Sequence, residues 1–138
     1  MSGMEEVLRI DVVLDRMETV RGTEGEVTMI LFCGNFSCDL GKGEVLPGGV
    51  DTQICRKGED KKLSARYILQ GVDKQGENFR LFVENNGVCR KKAPLITSPV
   101  IYTDRSELKW MEQEKLVGTV EGNGENKVVI KIYRGEQA

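Results

Sequence analysis

Four polar residues in the middle of the chain have the types and the spacing that could do chemistry. Asp51 and Gln53 lie two positions apart in a segment whose composition predicts a β-strand, so their side chains point to the same face. If that face is buried, lost hydration raises the pKa of the Asp51 carboxyl from about 3.9 toward the range useful for proton transfer. Asp51 is then a candidate general base, Tyr67 a candidate acid or oxyanion donor, and Asn85 a further polar contact.

The residues alone leave open which face of the Asp51 strand is inward. If the connection that follows the strand centres on Glu59, Asp51 lies opposite Tyr67 on the inner face. Gln53 then lies opposite Ala65. The competing buried set, which would leave Asp51 in water, is Val50, Thr52 and Ile54.

These side chains would have to work without histidine, because the chain contains none. That composition excludes the commonest general base, the Ser–His and Cys–His pairs, and the commonest metal ligand. The four cysteines are spaced too irregularly for a redox C-x-x-C motif or a zinc knuckle: Cys33, Cys38, Cys55 and Cys89. We therefore predict free thiols, no metal site and no cofactor.

The charge balance narrows the class of partner. The 138 residues suffice for a single domain, 1–138, and include 22 acidic and 20 basic side chains, for a net charge of -2. Without a basic surplus, nucleic acid is a poor partner. No apolar run approaches the roughly 18 residues of a membrane span, and residues 1–6 lack the features of a secretion signal. We expect a soluble, cytoplasmic protein with no membrane partner.

Three further features offer binding groups, and each has a structural alternative. Trp110, like Tyr67, could line a pocket, although aromatic side chains more often pack in a core. The segment Asn85–Gly87 could supply amide contacts to a ligand, but a turn is the prediction. Pro47–Gly49 could present backbone N–H groups to an anion, but a bend at the corner of a barrel is the prediction.

The elements that must position these residues are mostly strands. Valine and isoleucine number 15 and 8 against 3 alanines, with 16 glycines, and this balance favours pleated sheet and tight turns over helix. A helix is predicted only at 104–112, with Asp104 as its N-cap. A break at Gly34 precedes a short segment, and 41–49 are predicted as loops and bends. Alternation and turn residues predict eight or nine strands, including 7–14, 26–33, 50–56, 62–72, 77–86, 95–103, 114–122 and 126–134.

One hairpin can be placed in register from its turn. The turn 73–77, whose fourth residue is glycine, sets Leu69 opposite Leu81. On the other face Arg66 lies opposite Glu84, an opposite-charge pair in contact with solvent. The predicted inner face comprises Leu63, Ala65, Tyr67, Leu69, Leu81, Val83 and Asn85.

The last hairpin has one apolar and one polar face. A bend around Gly124 sets Val120 opposite Val128, Gly118 opposite Ile130 and Leu116 opposite Ile132. The chain has little helix that could cover the apolar face of an open sheet. Closing the sheet into an up-and-down barrel buries that face and pairs the edge strands, so we predict such a barrel. Eight strands leave an interior just large enough for packed side chains or one small ligand.

Two blocks of sequence, Cys33–Phe36 and Gly43–Gln53, resemble the domain of unknown function 3237 family. Later blocks of that family follow in the same order: Ala65–Tyr67, Asn85–Gly87, Leu108–Trp110 and the Val-rich final hairpin. The resemblance implies a lipocalin-like antiparallel barrel with no settled general activity. Asp51 belongs to the most specific block, so the resemblance favours an inward Asp51. Thr52 stands where the family often has an aromatic residue, and this departure would reshape one wall of a pocket.

Three function hypotheses follow. The first is a barrel that binds a small apolar or aromatic molecule, with polar contacts from Asp51, Gln53, Tyr67, Asn85 and Trp110. The second is a cofactor-independent lyase or isomerase that uses Asp51 as base and Tyr67 as acid. The third is a packed barrel that serves as an assembly module, for instance in a homo-oligomer.

Overall fold

Antiparallel strands form almost the whole of the computed structural model, which describes residues 3–90 and 94–135. Hydrogen bonds connect the strands in the order β1-β9-β8-β7-β6-β5-β3-β2-β4, and further β1–β2 and β4–β5 pairings close them into a ring. The prediction of an all-β antiparallel barrel is confirmed. The nine strands in the described ranges are β1 Glu5–Arg21, β2 Gly25–Cys38, β3 Gly41–Val45, β4 Val50–Arg56, β5 Lys61–Asp73, β6 Asn78–Cys89, β7 Ile96–Thr103, β8 Leu116–Gly122 and β9 Lys127–Arg134.

The strands β3 and β4 occupy one position in the ring, end to end. Both pair with β2 on one side and with β5 on the other, β3 near one end of the barrel and β4 near the opposite end. Between them, Leu46 N–H donates to Ile68 O (2.9 Å) and Phe32 N–H donates to Gly49 O (3.2 Å), so hydrogen bonding continues past the turn at Pro47–Gly48. The barrel therefore has eight strand positions, and the bend at Pro47–Gly48 divides one of them into β3 and β4.

Several glycines lie inside strands where the sequence predicts breaks. Gly34 lies in the middle of β2, and Gly41 and Gly43 lie in β3. A Cβ atom at any of them would overlap a carbonyl oxygen of the neighbouring strand, that of Asp11, Val72 or Gln70 respectively. These glycines allow two backbones to approach closely rather than allowing the chain to turn. The predicted break at Gly34 and the predicted loop over 41–45 are therefore wrong, whereas the bend at Pro47–Gly48 is present.

The β5–β6 hairpin has the predicted register. Leu69 pairs with Leu81 and Ala65 with Asn85, and every residue of the predicted inner face is buried. On the outer face, Arg66 Nε lies 2.9 Å from Glu84 Oε2.

The last hairpin, β8–β9, is shifted by two residues from its predicted register. Val120 pairs with Ile130 instead of Val128, and Gly118 pairs with Ile132 instead of Ile130. The loop 123–126 is longer than the predicted bend, since Asn123 N–H donates to Lys127 O at 2.8 Å. A shift of two keeps each side chain on its face, so the predicted apolar face remains the inner one.

Two short helical segments close one end of the barrel. A 3-10 turn, Ser106–Leu108, precedes the helix α1, Trp110–Gln113, and both Leu108 and Met111 are buried against the core. The predicted capping role of Asp104 is wrong, because its carboxylate accepts a hydrogen bond from Arg80 N–H (2.9 Å) in the sheet instead. Neither segment, nor any other helix among the described residues, is long and apolar enough to cross a membrane.

Candidate functional site

Asp51 and Gln53 lie on the interior-facing side of β4, as the first of the two alternatives requires. Their partners on β5 differ from the prediction: Asp51 pairs with Ala65 and Gln53 with Leu63. The turn after β4 centres on Gly58, which has a φ of 80°, and not on Glu59. The resulting shift of two residues preserves the face, for the reason given for the last hairpin.

Asp51, Ala65 and Asn85 form one row across three neighbouring strands. Ala65 is the direct partner of Asp51 on one side and of Asn85 on the other. Because the alanine side chain is short, it leaves a hollow between its two polar neighbours. An interior cavity of about 120 Å³ opens over this row. Its lining comprises Asp51, Gln53 and Asn85 together with Val12, Leu14, Ile30, Phe32, Leu63, Ala65, Leu95, Val120, Val128 and Ile130.

The Asp51 carboxylate is satisfied on one oxygen only. Gln53 Nε2 donates to Asp51 Oδ2 at 2.8 Å. Asp51 Oδ1 is buried and has no hydrogen-bond partner among the residues described. Burial raises the pKa of the Asp51 carboxyl above its usual value, and the hydrogen bond from Gln53 and the charge of Lys61 oppose this rise. The side chain therefore retains acceptor capacity that points into the barrel.

Tyr67 is buried in the barrel but does not line the cavity. It pairs with Val83, and its ring packs edge-on against Phe32 with 5.2 Å between centroids. The hydroxyl is buried without a partner in the described part of the chain, and no hydrogen bond there joins it to Asp51. Burial, and secondarily the charge of Asp51, raise the pKa of Tyr67 far above its usual value, so the phenol stays protonated.

Asn85 and Thr97 add two more unpartnered oxygens to the interior. Asn85 is 1% exposed and Thr97 is 2% exposed, and neither Asn85 Oδ1 nor Thr97 Oγ1 has a partner within the described ranges. Both oxygens lie within 3.5 Å of the point where a Cβ atom would stand at Gly118. Sequence reasoning missed Thr97. The signal was present, because Thr97 alternates with Pro99 and Ile101 on the inner face of β7.

The remaining candidates lie elsewhere. Trp110 is on α1 at the opposite end of the barrel, where the Arg134 guanidinium lies 4.6 Å from its ring centroid. The tertiary structure thus separates Trp110 from Asp51 and Asn85. The segment Asn85–Gly87 lies inside β6, so the predicted turn there is wrong.

A larger depression, of about 740 Å³, lies on the outside of β4, β5 and β6. Its polar side chains bond to one another: Ser64 Oγ lies 2.7 Å from Asn86 Oδ1, and Asn86 Nδ2 donates to Glu84 Oε1 at 3.0 Å. Glu84 also pairs with Arg66. The buried polar atoms without a partner among the described residues include two that line the smaller interior cavity, Asp51 Oδ1 and Asn85 Oδ1, and none that lines this outer surface. We therefore place the candidate site inside.

The cysteines and carboxylates give no sign of a metal centre. Across 3–90 and 94–135, no group of three or more His, Cys, Asp or Glu side chains could hold a metal ion. All four cysteines are free, with Cys33 exposed and the other three half-buried.

Comparison with known proteins relates the whole chain to proteins of unknown function. Residues 3–135 match the family described as "Protein of unknown function (DUF3237)". A UPF0311 protein of Clostridium acetobutylicum is 28% identical over 152 residues, covering 94% of this chain and 92% of that protein.

The solved structures that share the fold include the following two. One is a protein with unknown function from Clostridium acetobutylicum, with a TM-score of 0.80 and 27% identity over 96% of this chain and 99% of that one. The other is a β-barrel like protein from Acinetobacter baumannii, with a TM-score of 0.69 and 19% identity over 95% of this chain and 94% of that one.

Proposed function

The chain belongs to the DUF3237 family of proteins of unknown function, and from this premise and its barrel we propose that it binds a small, largely apolar molecule in the interior cavity. The supporting observation is the contrast between the apolar walls and the buried Asp51 Oδ1 and Asn85 Oδ1 atoms, which lack partners in the described chain. A buried polar atom left unpaired costs about 1–3 kcal/mol. A bound molecule that satisfies these atoms would recover that free energy.

The same observation argues against a barrel that acts only as an assembly module. A packed scaffold gains stability when an unpaired interior polar group is replaced by an apolar one of similar shape. Asp51 and Asn85 instead retain polar oxygens around a hollow. An apolar cavity with a few convergent polar groups is typical of ligand sites.

A second candidate function is a cofactor-independent lyase or isomerase with Asp51 as base. The observation that favours it is the raised pKa of a carboxyl that faces a cavity. Tyr67 does not line that cavity, so the role of acid falls to another group or to water. Turnover of the bound molecule, lost on Asp51→Asn, would separate this candidate from simple binding.

We also propose a cytoplasmic location and no nucleic-acid or membrane partner. Four free cysteines are typical of a reducing compartment and support the location.

The test is a search for a molecule that the protein retains. The purified protein is examined by mass spectrometry under native conditions, and a denatured extract is then analysed for small molecules. Ala65→Leu fills the hollow between Asp51 and Asn85, whereas Ser64→Leu adds similar bulk to the outer face of the same strand. We expect a bound molecule in the wild type and in Ser64→Leu, and its loss in Ala65→Leu. Absence of any bound molecule from the wild type, or its full retention in Ala65→Leu, would contradict the proposal.

A further inference from the structure

The two unpartnered oxygens at the cavity are both acceptors. A carboxylate oxygen and an amide oxygen can only accept hydrogen bonds, so Asp51 Oδ1 and Asn85 Oδ1 both require a donor. They flank Ala65 in one row, two strand spacings or roughly 10 Å apart at the backbone. A donor group above Ala65 would lie between them.

The cavity also has an uncompensated negative charge. Its lining contains the Asp51 carboxylate and no lysine or arginine. Among the ion pairs of the described residues, none includes Asp51. Lys61 lowers the pKa of Asp51 less than burial raises it. A buried carboxylate with no counter-charge is unfavourable unless a cation joins it.

The nearby protein groups leave this requirement unmet. Gln53 already donates to the other carboxylate oxygen, Asp51 Oδ2. Tyr67 does not line the cavity, and its hydroxyl makes no hydrogen bond within the described structure. Thr97 Oγ1 also lies near Asn85 but makes no hydrogen bond to it, so neither Asp51 Oδ1 nor Asn85 Oδ1 has a donor among the described residues. A bound molecule or a water molecule can supply one.

We propose that the cavity selects a small primary alkylammonium ion, with its ammonium group between Asp51 and Asn85 and its alkyl chain against the apolar wall. This inference rests on the proposed function and adds the chemical class of the ligand. An ammonium group has three donors and one positive charge, so it can bond both oxygens and neutralise the carboxylate. A hydroxyl group has one donor and no charge, and a carboxylate ligand would be repelled.

The volume limits the size of the ligand. An apolar cavity of about 150 Å³ holds benzene, and the cavity here is slightly smaller, at about 120 Å³. An unbranched chain of about four carbon atoms fits such a space. Val120, Val128 and Ile130 form the wall that the chain would contact.

The experiment compares three probes of the same length at neutral pH and fixed ionic strength: n-butylamine, butan-1-ol and butyrate. A primary amine is protonated under these conditions, as lysine is. Dissociation constants are measured by calorimetry or ligand-observed NMR for the wild type, for Asp51→Asn, and for Asp11→Asn. Asp11 lies on the outer face of β1, half-exposed and paired with Arg9, so its variant removes the same charge away from the cavity.

We expect n-butylamine to bind the wild type roughly ten- to a hundredfold more tightly than butan-1-ol, the range for a hydrogen bond to a charged group. Butyrate should bind most weakly. The preference should vanish in Asp51→Asn and persist in Asp11→Asn. Should Asp51→Asn fail to fold, the relative affinities of the wild type for the three probes still test whether the cavity prefers an ammonium group.

Several outcomes would overturn the inference. Equal binding of the amine and the alcohol would show that charge plays no part, and tightest binding of butyrate would reverse the predicted sign. If no probe binds while the protein retains another molecule in the mass-spectrometric search, the inference falls and the proposed function stands. If no probe binds and nothing is retained, ordered water fills the cavity and both fall.

Discussion

Asp51 and Tyr67 face the same interior, yet no hydrogen bond in the described structure joins them. The charge of Asp51 nevertheless contributes to the raised pKa of Tyr67. Asp51 pairs with Ala65 rather than with Tyr67. Asp51 and Ala65 both line the cavity, whereas Tyr67, the next inward-facing residue of β5, does not. We therefore predict the effects of substituting Asp51 and Tyr67 separately.

Replacing Asp51 by asparagine should leave the free energy of unfolding at neutral pH unchanged or raise it by up to about 1 kcal/mol, because the variant avoids a half-buried, unpaired charge. Burial raises the folded-state pKa of this carboxyl, so the wild type binds more protons folded than unfolded just above pH 4. Wild-type stability relative to the variant should thus fall as pH rises through that window. Urea unfolding of both proteins at pH 3 to 7 measures the difference, with Asp11→Asn as control. A variant less stable than the wild type by over 1 kcal/mol at pH 7 would show that the charge has a partner.

Tyr67→Phe should be neutral or stabilising by about 1 kcal/mol, because it removes a buried hydroxyl that has no partner in the described structure. The aromatic ring of Tyr67, and not its hydroxyl, contributes to the free energy of unfolding, because the residue is 3% exposed and its ring packs against Phe32. Tyr67→Ala should therefore cost about 3–5 kcal/mol. Chemical denaturation of both variants measures the contrast. A loss above 1 kcal/mol for Tyr67→Phe would mean that a bound molecule or water holds the hydroxyl.

Gly118→Ala should destabilise the barrel by about 1–3 kcal/mol, because its Cβ would overlap Thr97 Oγ1. Thr97→Ala removes that oxygen, so the double variant should lose less than the sum of the two single losses. Gly122→Ala, also in β8, has open space around its Cβ and serves as the control. If the stability losses of the two single variants add up in the double variant, the cost of Gly118→Ala does not come from contact with Thr97 Oγ1.

Asp73→Asn should lower the melting temperature more than Glu84→Gln does. Asp73 accepts from Arg105 Nη2 at 2.8 Å and from the backbone N–H groups of Gln75 and Glu77 at 2.9 Å each, and its side chain is 5% exposed. The hydrogen bond from Arg105 and those from the backbone lower the pKa of Asp73. Its stabilising effect should therefore be complete above about pH 4, the ordinary pKa of aspartate, and should be lost as pH falls from there through the lowered pKa of the folded state. Melting curves from pH 2 to 7 test this, and a gap between wild type and variant that grows on acidification would contradict it.

Four thiols should react with a sulfhydryl reagent in denatured, unreduced protein, because all four cysteines are free. In the native state Cys33 should react first, since it alone is exposed while the others are half-buried. A count of two or none would indicate disulfides and would contradict the proposed cytoplasmic location. Protein reduced beforehand gives the reference count.

Most of the inner face of β5 and β6 could be predicted from the sequence, although the prediction did not include the buried Phe79. A short turn places Leu69 opposite Leu81, and alternation then assigns every neighbour to a face. The longer connections around Gly58 and Gly124 do not determine register from their residues, and both predictions there were off by two. The faces remained right because a shift of two residues returns each side chain to the same side.

The sequence by itself determined that this is an all-β barrel and that Asp51, Gln53, Tyr67 and Asn85 belong to its candidate residues, because alternation is a local property of a strand. Only the tertiary structure decided that Ala65 separates Asp51 from Asn85, that Trp110 lies at the far end, and that Thr97 belongs to the interior. Those relationships depend on which residues of distant strands become neighbours. Such neighbours are set by loop geometry and by the closure of the ring, which no local pattern contains.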